Sequence, residues 1–170
     1  VTPDIITMAK ATTNGIVPMG VVAVREKIYQ SVMDASPEGA VELFHGYTYS
    51  GIPVAVSAAI AVQKIFEKED IFNRVKKLSS YFEDGLHSLK DLSCIDSIRN
   101  YGLLGGIDIS MRDKPGKAGF NVYKKCYDAG VNIKPTGDAL IIAPPFICEK
   151  KDIDELIEKM RKGITNHLKS

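Results

Sequence analysis

The stretch Asp4-Ile5-Ile6-Thr7-Met8-Ala9-Lys10 decides the fold of this chain. Its β-branched and apolar residues follow Pro3 and precede the polar segment Thr12-Thr13-Asn14-Gly15, so they predict a short buried strand over residues 4–9. Lys10 then lies at the carboxyl end of that strand. A partly desolvated lysine there has a lowered amine pKa and can attack a carbonyl carbon, whereas a lysine that reaches solvent has no special chemistry. The position alone leaves both interpretations open.

A second apolar run, residues 19–24, predicts another buried strand with both faces covered, so the two strands look like parts of a larger sheet. One or two helical turns can follow over residues 25–33. The segment 45–51 reads His-Gly-Tyr-Thr-Tyr-Ser-Gly and predicts a polar loop before a helix that begins at Pro53. Hydroxyl groups and free backbone N–H groups before a helix N-terminus favour an anion such as phosphate. An ordinary solvated loop fits this composition equally well.

The rest of the chain predicts two helices followed by an α+β module. The helix that begins at Pro53 carries apolar residues at helical spacing and is expected to lie in the core, and a second helix has an apolar stripe from Ile71 to Leu89. Further strands are predicted over residues 95–101, 104–110, 131–133 and 139–143, with helices over 119–129 and from Ile153 to Leu168. The chain is therefore divided into residues 1–51, 52–92 and 93–170.

The composition argues against several classes of function. The chain has 170 residues, with 22 Lys and Arg against 21 Asp and Glu, so it lacks the positive field of a dedicated nucleic-acid-binding protein. Its longest apolar run, residues 54–62, is far shorter than the ~20 residues that cross a bilayer. We therefore expect neither a nucleic-acid partner nor a membrane partner.

The cysteines and histidines show no metal-binding spacing. Cys94, Cys126 and Cys148 are odd in number and form no C-x-x-C pattern, so buried free thiols are predicted rather than disulfides or a zinc site. The three histidines lie far apart in the sequence. No metal ion is expected, and reduced cysteines favour a cytoplasmic location.

Several motifs together resemble those of one enzyme family. Residues 4–10, continued by Asn14-Gly15 and Pro18-Met19-Gly20, closely resemble the lysine segment of the class III (omega-type) pyridoxal-phosphate aminotransferases. The loop 45–51 with Pro53 is similar to the phosphate-contacting loop of that family. The resemblance runs over all 170 residues, because further motif residues match the family's C-terminal domain in order and spacing: Arg99, Gly102, Gly106, Gly130, Gly137-Asp138 and Pro144-Pro145.

The resemblance implies an α/β fold, namely the C-terminal part of a fold-type I PLP-dependent transferase. Residues 1–51 would hold the last strands and cofactor loops of the large domain, residues 52–92 the linking helices, and residues 93–170 the small α+β domain. In the family, the aspartate that pairs with the pyridine nitrogen, a stacking aromatic residue and a glycine–serine phosphate clamp lie upstream of the lysine strand. None of them is found here, so the isolated chain is expected to be a weak or inactive catalyst.

The resemblance also implies roles for individual residues. Lys10 would bind the cofactor pyridoxal 5'-phosphate through its amine and move the proton at the substrate Cα. Thr48 and the backbone N–H near Tyr47 would hold the phosphate of a cofactor bound mainly by the neighbouring subunit, so the site would be shared across a homodimer. Lys134 stands where the family commonly has an arginine that binds the substrate carboxylate, and Ile52 stands where a histidine is common.

The implied reaction transfers an amino group from a small-molecule amine or ω-amino acid, such as β-alanine, to a keto acid such as pyruvate. Lysine keeps the charge of arginine but lacks its planar fork, so Lys134 should bind a carboxylate less firmly. An amine or ω-amino-acid donor is therefore favoured over a strict α-amino-acid donor. The sequence leaves two alternatives open: a catalytically inactive fragment, and aminomutase or racemase chemistry on the same scaffold.

Overall fold

The computed structural model describes residues 1–40, 43, 45–110 and 115–169, and it divides the chain into two compact units, Val1–Glu69 and Asp70–Ser170. The division lies at residues 69 and 70, so the two predicted linking helices belong to different units. The functional assignment of residues 1–51, 52–92 and 93–170 stays a prediction. The first unit holds four elements in the order β1 (Ile5–Ala9), β2 (Gly20–Val24), α1 (Glu26–Ala35) and α2 (Pro53–Lys68).

Strands β1 and β2 form an antiparallel two-stranded ribbon in which Ile5 lies opposite Val24 and Ala9 opposite Gly20. Both strands were predicted, but their predicted burial is wrong. Every residue of β1 is exposed, and Val22 of β2 keeps 63% of its surface accessible. The apolar character of a strand shows that it needs a covering layer, and no described residue of this unit supplies one.

Helix α2 begins at Pro53, as predicted, because proline lacks the N–H that the first helical residue leaves unbonded. The prediction of a core helix is wrong. Within α2 only Ala55 and Val62 are buried, whereas Val54 and Ile60 are exposed. As in the ribbon, the described residues of this unit cover only part of the apolar surface of the helix.

The second unit is a two-layer α/β structure. Its elements in chain order are α3 (Ile71–His87), a 3-10 turn (Ser88–Asp91), β3 (Ile95–Tyr101), β4 (Leu104–Ile109), α4 (Ala118–Asp128), β5 (Lys134–Thr136), β6 (Ala139–Ile142) and α5 (Lys150–Leu168). The four strands form one antiparallel sheet in the order β3-β4-β6-β5. The predicted hairpin of residues 95–101 and 104–110 is confirmed.

Two rows of directly opposed residues distinguish the faces of this sheet. Ile98, Ile107, Leu140 and Pro135 form a row on the inner face, where the side chains of Ile107 and Leu140 are completely buried. The apolar stripe of α3 packs there, as predicted, with Phe82 and Leu86 fully buried. Opposed residues point to the same side of a sheet. The next row therefore lies on the outer face: Arg99, Gly106, Ile141 and Lys134.

The predicted strand over residues 131–133 is wrong by a few residues, since β5 begins at Lys134. The preceding residues complete the end of α4: the N–H of Gly130 donates to the carbonyl of Tyr127, and the N–H of Val131 donates to the carbonyl of Cys126. Gly130 has a left-handed φ of 91° that permits this ending. The backbone of this segment thus serves the helix before the sheet ladder starts.

The three cysteines are buried and none of them forms a disulfide, as predicted. Helix α5 begins with a capping box in which Glu149 and Asp152 accept each other's backbone N–H groups. Among the described residues, no helix is both long enough and apolar enough to cross a lipid bilayer.

Candidate functional site

Lys10 follows β1 directly and has a left-handed backbone, with φ of 60°. This conformation is uncommon for a residue with a side chain and costs on the order of 1 kcal/mol or more. It starts the turn that leads away from the strand, in which the N–H of Thr13 donates to the carbonyl of Lys10. Lys10 itself is exposed. The described residues therefore do not bury its side chain, as the desolvated interpretation of Lys10 requires.

The turn after Lys10 is fixed by Thr13, which is 1% exposed. Its hydroxyl donates to the carbonyl of Val17 at 2.6 Å, and its carbonyl accepts the N–H of Ile16. The neighbouring hydroxyl, Oγ1 of Thr12, is buried and finds no hydrogen-bond partner among the described residues. A buried polar atom without a partner costs about 1–3 kcal/mol, so this turn combines two unfavourable features within three residues of each other.

The loop 45–51 uses its polar groups on itself. The hydroxyl of Thr48 donates to the carbonyl of Gly46 at 2.7 Å, and the backbone N–H of Thr48 also donates to that carbonyl. The N–H of Tyr47 donates to Nδ1 of His45 at 3.2 Å, and the two rings lie 4.7 Å apart. Helix α2 follows, and its N-cap residue, Ile52, gives no side-chain hydrogen bond.

Lys134 lies in the second unit, whereas Lys10, Tyr47 and Thr48 lie in the first. It is the first residue of β5 and is exposed on the outer sheet face, in the same row as Arg99. Three strand spacings of ~4.8 Å separate the backbones of these two cations. Ile141 lies opposite Lys134, with Gly106 between Ile141 and Arg99.

Arg99 is neutralised by a neighbour on the same face. Its Nη1 contacts the Asp108 carboxylate at 2.5 Å, and Ser97 donates a hydrogen bond to the same carboxylate oxygen. The hydrogen bond from Arg99, followed by that from Ser97, holds the pKa of Asp108 below its usual range. Lys134, the other cation of this row, forms no ion pair with a carboxylate among the described residues.

Asp138 has a role that the sequence did not reveal. Its carboxylate accepts the N–H of Gly116 at 2.8 Å and that of Ala118 at 3.0 Å, so it caps the beginning of α4. Its carbonyl accepts the N–H of Ile109 at 2.8 Å. The only signal in the sequence is the Gly137-Asp138 turn, which predicts a turn residue but not contacts to residues twenty or more positions away.

Comparison with known proteins places this arrangement in a family. The family model described as aminotransferase class-III matches residues 1–164. The omega-aminotransferase of Caulobacter vibrioides is 42% identical over 163 residues, which cover 95% of this chain and 37% of that protein. The beta-alanine–pyruvate aminotransferase of Pseudomonas aeruginosa is 38% identical over 166 residues, or 96% of this chain and 37% of that protein. The chain thus spans a little over a third of the length of these relatives.

Solved structures share the fold. The adenosylmethionine-8-amino-7-oxononanoate aminotransferase of Methanocaldococcus jannaschii superposes with a TM-score of 0.87 at 30% identity, over 97% of this chain and 39% of that one. An amine transaminase from an uncultivated Pseudomonas species, solved in a PLP-bound form, has a TM-score of 0.87 at 26% identity, over 98% of this chain and 39% of that one. The predicted fold, part of a fold-type I PLP-dependent transferase, is confirmed, and the chain belongs to the class III aminotransferase family.

Proposed function

We propose that this protein is a pyridoxal-phosphate-dependent aminotransferase that transfers an amino group from an amine or ω-amino acid, such as β-alanine, to a keto acid such as pyruvate. The names of the relatives support the substrate classes. The observation that carries the proposal is Lys10: an exposed amine on a left-handed residue at the end of β1, within the segment that resembles the lysine segment of the family.

The residues of the first unit fit pyridoxal phosphate. Lys10 offers an accessible amine, the hydroxyl of Thr12 has no partner in the part of the chain that the structure describes, and the loop 45–51 offers the hydroxyl of Thr48 and the N–H of Tyr47. Pyridoxal phosphate, when bound, supplies an aldehyde carbon for a lysine amine and a ring that takes up the electron pair released at the substrate Cα. An amine, hydroxyls and backbone N–H groups are the groups that an aldehyde and a phosphate require.

In this proposal Lys10 acts as the base. Its neutral amine takes the proton from the substrate Cα, and its protonated form later returns a proton, so one residue performs both transfers. The left-handed backbone of Lys10 is unfavourable, and folded proteins retain such strain mainly where a functional group has to be held in place.

Thr48 and Tyr47 would hold the phosphate of a cofactor bound mainly by the neighbouring subunit, after giving up their present partners. Thr48 now donates its hydroxyl proton to Gly46, and Tyr47 donates its N–H to His45. Hydrogen bonds to a charged phosphate are roughly twice as strong as such neutral ones, so the exchange is favourable. The positive end of α2, which follows the loop, adds to the attraction for an anion.

Lys134 would bind the substrate carboxylate. It is exposed on the outer face of the sheet, and its ammonium group is a point charge that accepts carboxylates over a wide range of directions. This property agrees with a donor whose carboxylate lies at a variable distance from its amino group, or with an amine that has no carboxylate.

We further propose a homodimer in the cytoplasm. The exposed apolar side chains of α2, including Val54 and Ile60, support a subunit contact because such surfaces are usually covered by a partner. The three buried cysteines, none of which forms a disulfide, support a reducing compartment.

The test is reductive trapping. The chain is incubated with pyridoxal phosphate and reduced with borohydride, and the modified residue is located by peptide mass spectrometry. We expect one dominant label on Lys10 that is absent in Lys10→Ala and retained in Lys64→Ala, which removes an exposed lysine of α2. Labelling spread over several surface lysines would reject the assignment of Lys10. Formation of alanine from pyruvate and β-alanine, measured in the same variants, tests the reaction itself.

A further inference from the structure

We propose that Asp138 is a positioning residue for Lys134: it clamps the β5–β6 hairpin to α4 and β4, so that the Lys134 ammonium is held where a substrate carboxylate can bind. The inference rests on the proposed function, in which Lys134 contacts that carboxylate. Asp138 acts through the backbone of the hairpin and is not itself a catalytic residue.

The clamp consists of three hydrogen bonds from one residue to two other elements. The carboxylate oxygens of Asp138 accept the N–H groups of Gly116 and Ala118, and its carbonyl accepts the N–H of Ile109 at the end of β4. Helix α4 has no side-chain cap of its own, because Lys117 at the N-cap position makes no such bond. The hairpin turn therefore supplies the cap, and the helix start and the turn hold each other.

The close approach of Gly119 makes the clamp rigid. A Cβ at Gly119 would lie 2.5 Å from the carbonyl oxygen of Gly137 and 2.9 Å from that of Ala139. The first turn of α4 thus lies directly against the hairpin backbone on both sides of Asp138, with no space for a side chain between them. Contact of this kind transmits a displacement of the helix start to the turn.

The hairpin depends on this clamp because β5 is weak. It has three residues, lies at the edge of the sheet, and contains Pro135, which has no N–H to donate to a ladder. Lys134 is its first residue and pairs with Ile141, while Thr136 pairs with Ala139 next to the turn. With few ladder bonds, the position of Lys134 is set largely by the turn that ends the strand.

The experiment compares four variants of the full chain. Asp138→Ala removes both acceptor oxygens, and Asp138→Asn keeps one, so it serves if the alanine variant does not fold. Asp91→Asn removes a carboxylate of another network, the one that binds Arg161, and is the matched control. Lys134→Ala removes the carboxylate-binding group. Two quantities are measured: amide hydrogen exchange over residues 134–142, and the affinities for propionate and for uncharged propionamide from NMR titration.

We expect Asp138→Ala to speed exchange in the hairpin at least tenfold and to weaken propionate binding about fivefold, with Asp138→Asn between it and the unmodified chain. Propionamide should bind equally poorly to all of them. Asp91→Asn should match the unmodified chain in propionate affinity and should speed exchange in the hairpin no more than in the rest of the second unit. Unchanged exchange in Asp138→Ala would overturn the clamp. Faster exchange in Asp138→Ala with unchanged propionate affinity would overturn the positioning role. The same conclusion would follow if the unmodified chain did not bind propionate, or if Lys134→Ala still bound it.

Failure of the proposed function is seen separately. A chain that binds propionate in the expected manner, but is not trapped by borohydride on Lys10, would reject the aminotransferase assignment and support the clamp. A chain that is labelled on Lys10, but whose propionate affinity is the same with and without the Asp138 carboxylate, would support the aminotransferase assignment and reject the positioning role of Asp138.

Discussion

Arg161 of α5 and Asp91 of the 3-10 turn form a two-oxygen contact: Nη1 of Arg161 lies 2.9 Å from each carboxylate oxygen of Asp91. The second terminal nitrogen, Nη2, donates to the carbonyl of Ser88 at 2.6 Å. The carbonyl groups at the end of a helix lack partners within that helix. Arg161 supplies such a partner to the carbonyl of Ser88 and thereby joins α5 to the end of α3.

The first prediction concerns this contact. Arg161→Ala should lower the free energy of unfolding by about 1 kcal/mol, since both side chains are partly exposed and water screens the charges. Arg161→Lys should recover less than half, because an ammonium group cannot serve the carboxylate and the carbonyl with a fixed fork. Urea denaturation measures both changes. The control is Lys159→Ala, whose exposed pair with Glu155 is worth only a few tenths of a kcal/mol; an equal loss there would contradict the assignment.

The second prediction concerns the contact of α4 with α5. A Cβ at Gly163 would lie 2.6 Å from the Cα of Cys126, so Gly163→Ala should destabilise the chain by about 1–3 kcal/mol through displacement of a helix backbone. Gly85→Ala is the matched control. Its Cβ would meet the flexible side chain of Ile157 at 3.2 Å, and the better helix propensity of alanine offsets that contact. Thermal denaturation should separate the two variants clearly; similar midpoints would contradict the packing argument.

The third prediction is a pH dependence. The hydrogen bond from Arg99, with that from Ser97, lowers the pKa of Asp108 below its ordinary 3.8 in the folded chain. A lowered folded-state pKa contributes stability that is fully present above about pH 5 and is lost as the pH falls through the folded-state pKa. Asp108→Asn should therefore reduce the acid-side slope of unfolding free energy between pH 5 and pH 3. Arg99→Met should reduce the same slope, and an unchanged slope in both variants would show that the pair does not set it.

The fourth prediction concerns thiol reactivity. Burial raises the pKa of the Cys126 thiol to about 12, with a smaller contribution from Cys94, and burial also raises the pKa of Cys148. The thiolate is the reactive form. We therefore expect Ellman's reagent at pH 8 to modify the folded chain very slowly and all three cysteines at once in guanidinium chloride. Rapid modification of Cys126 in the folded chain would show that α4 and α5 open readily.

The fifth prediction concerns the β1–β2 ribbon. Each strand of a two-stranded sheet has an unpaired edge, and Ile5, Val22 and Val24 are exposed on this one, so the chain should associate as its concentration rises. Val22→Lys should reduce the association, because a lysine on an edge strand opposes pairing. Tyr49→Lys, an equally large change at an exposed loop position, is the control. Sedimentation velocity that finds a stable monomer at high concentration would contradict the prediction.

The elements that depend on local patterns could be predicted from the sequence. The stripe of α3 from Ile71 through Phe82 to Leu86 repeats with the helical period, and the alternation of Ile107 and Ile109 with Asp108 identifies β4. Lys10 could also be singled out, since a strand followed by a Thr-Thr-Asn-Gly turn places it at a strand end. Its left-handed backbone could not, because lysine has no preference for that conformation.

Burial and long-range contacts could not be predicted in the same way. The apolar composition of β2 indicates that Val22 needs a covering layer, but it does not show whether such a layer is present. Asp138 and Gly116 are 22 residues apart, and Arg161 and Asp91 are 70 residues apart. Contacts over such separations depend on how the helices and the sheet assemble, and no short motif encodes them.

The left-handed backbone of Lys10 has a consequence for the choice of an inactive reference protein. Alanine at this position keeps the unfavourable φ and loses the amine, so its melting curve reports only the loss of the side chain beyond Cβ. Glycine adopts that φ freely, and the Lys10→Gly chain should melt above the Lys10→Ala chain. The lysine is thus carried at a thermodynamic loss, and the size of that loss can be read directly from the gap between the two melting temperatures.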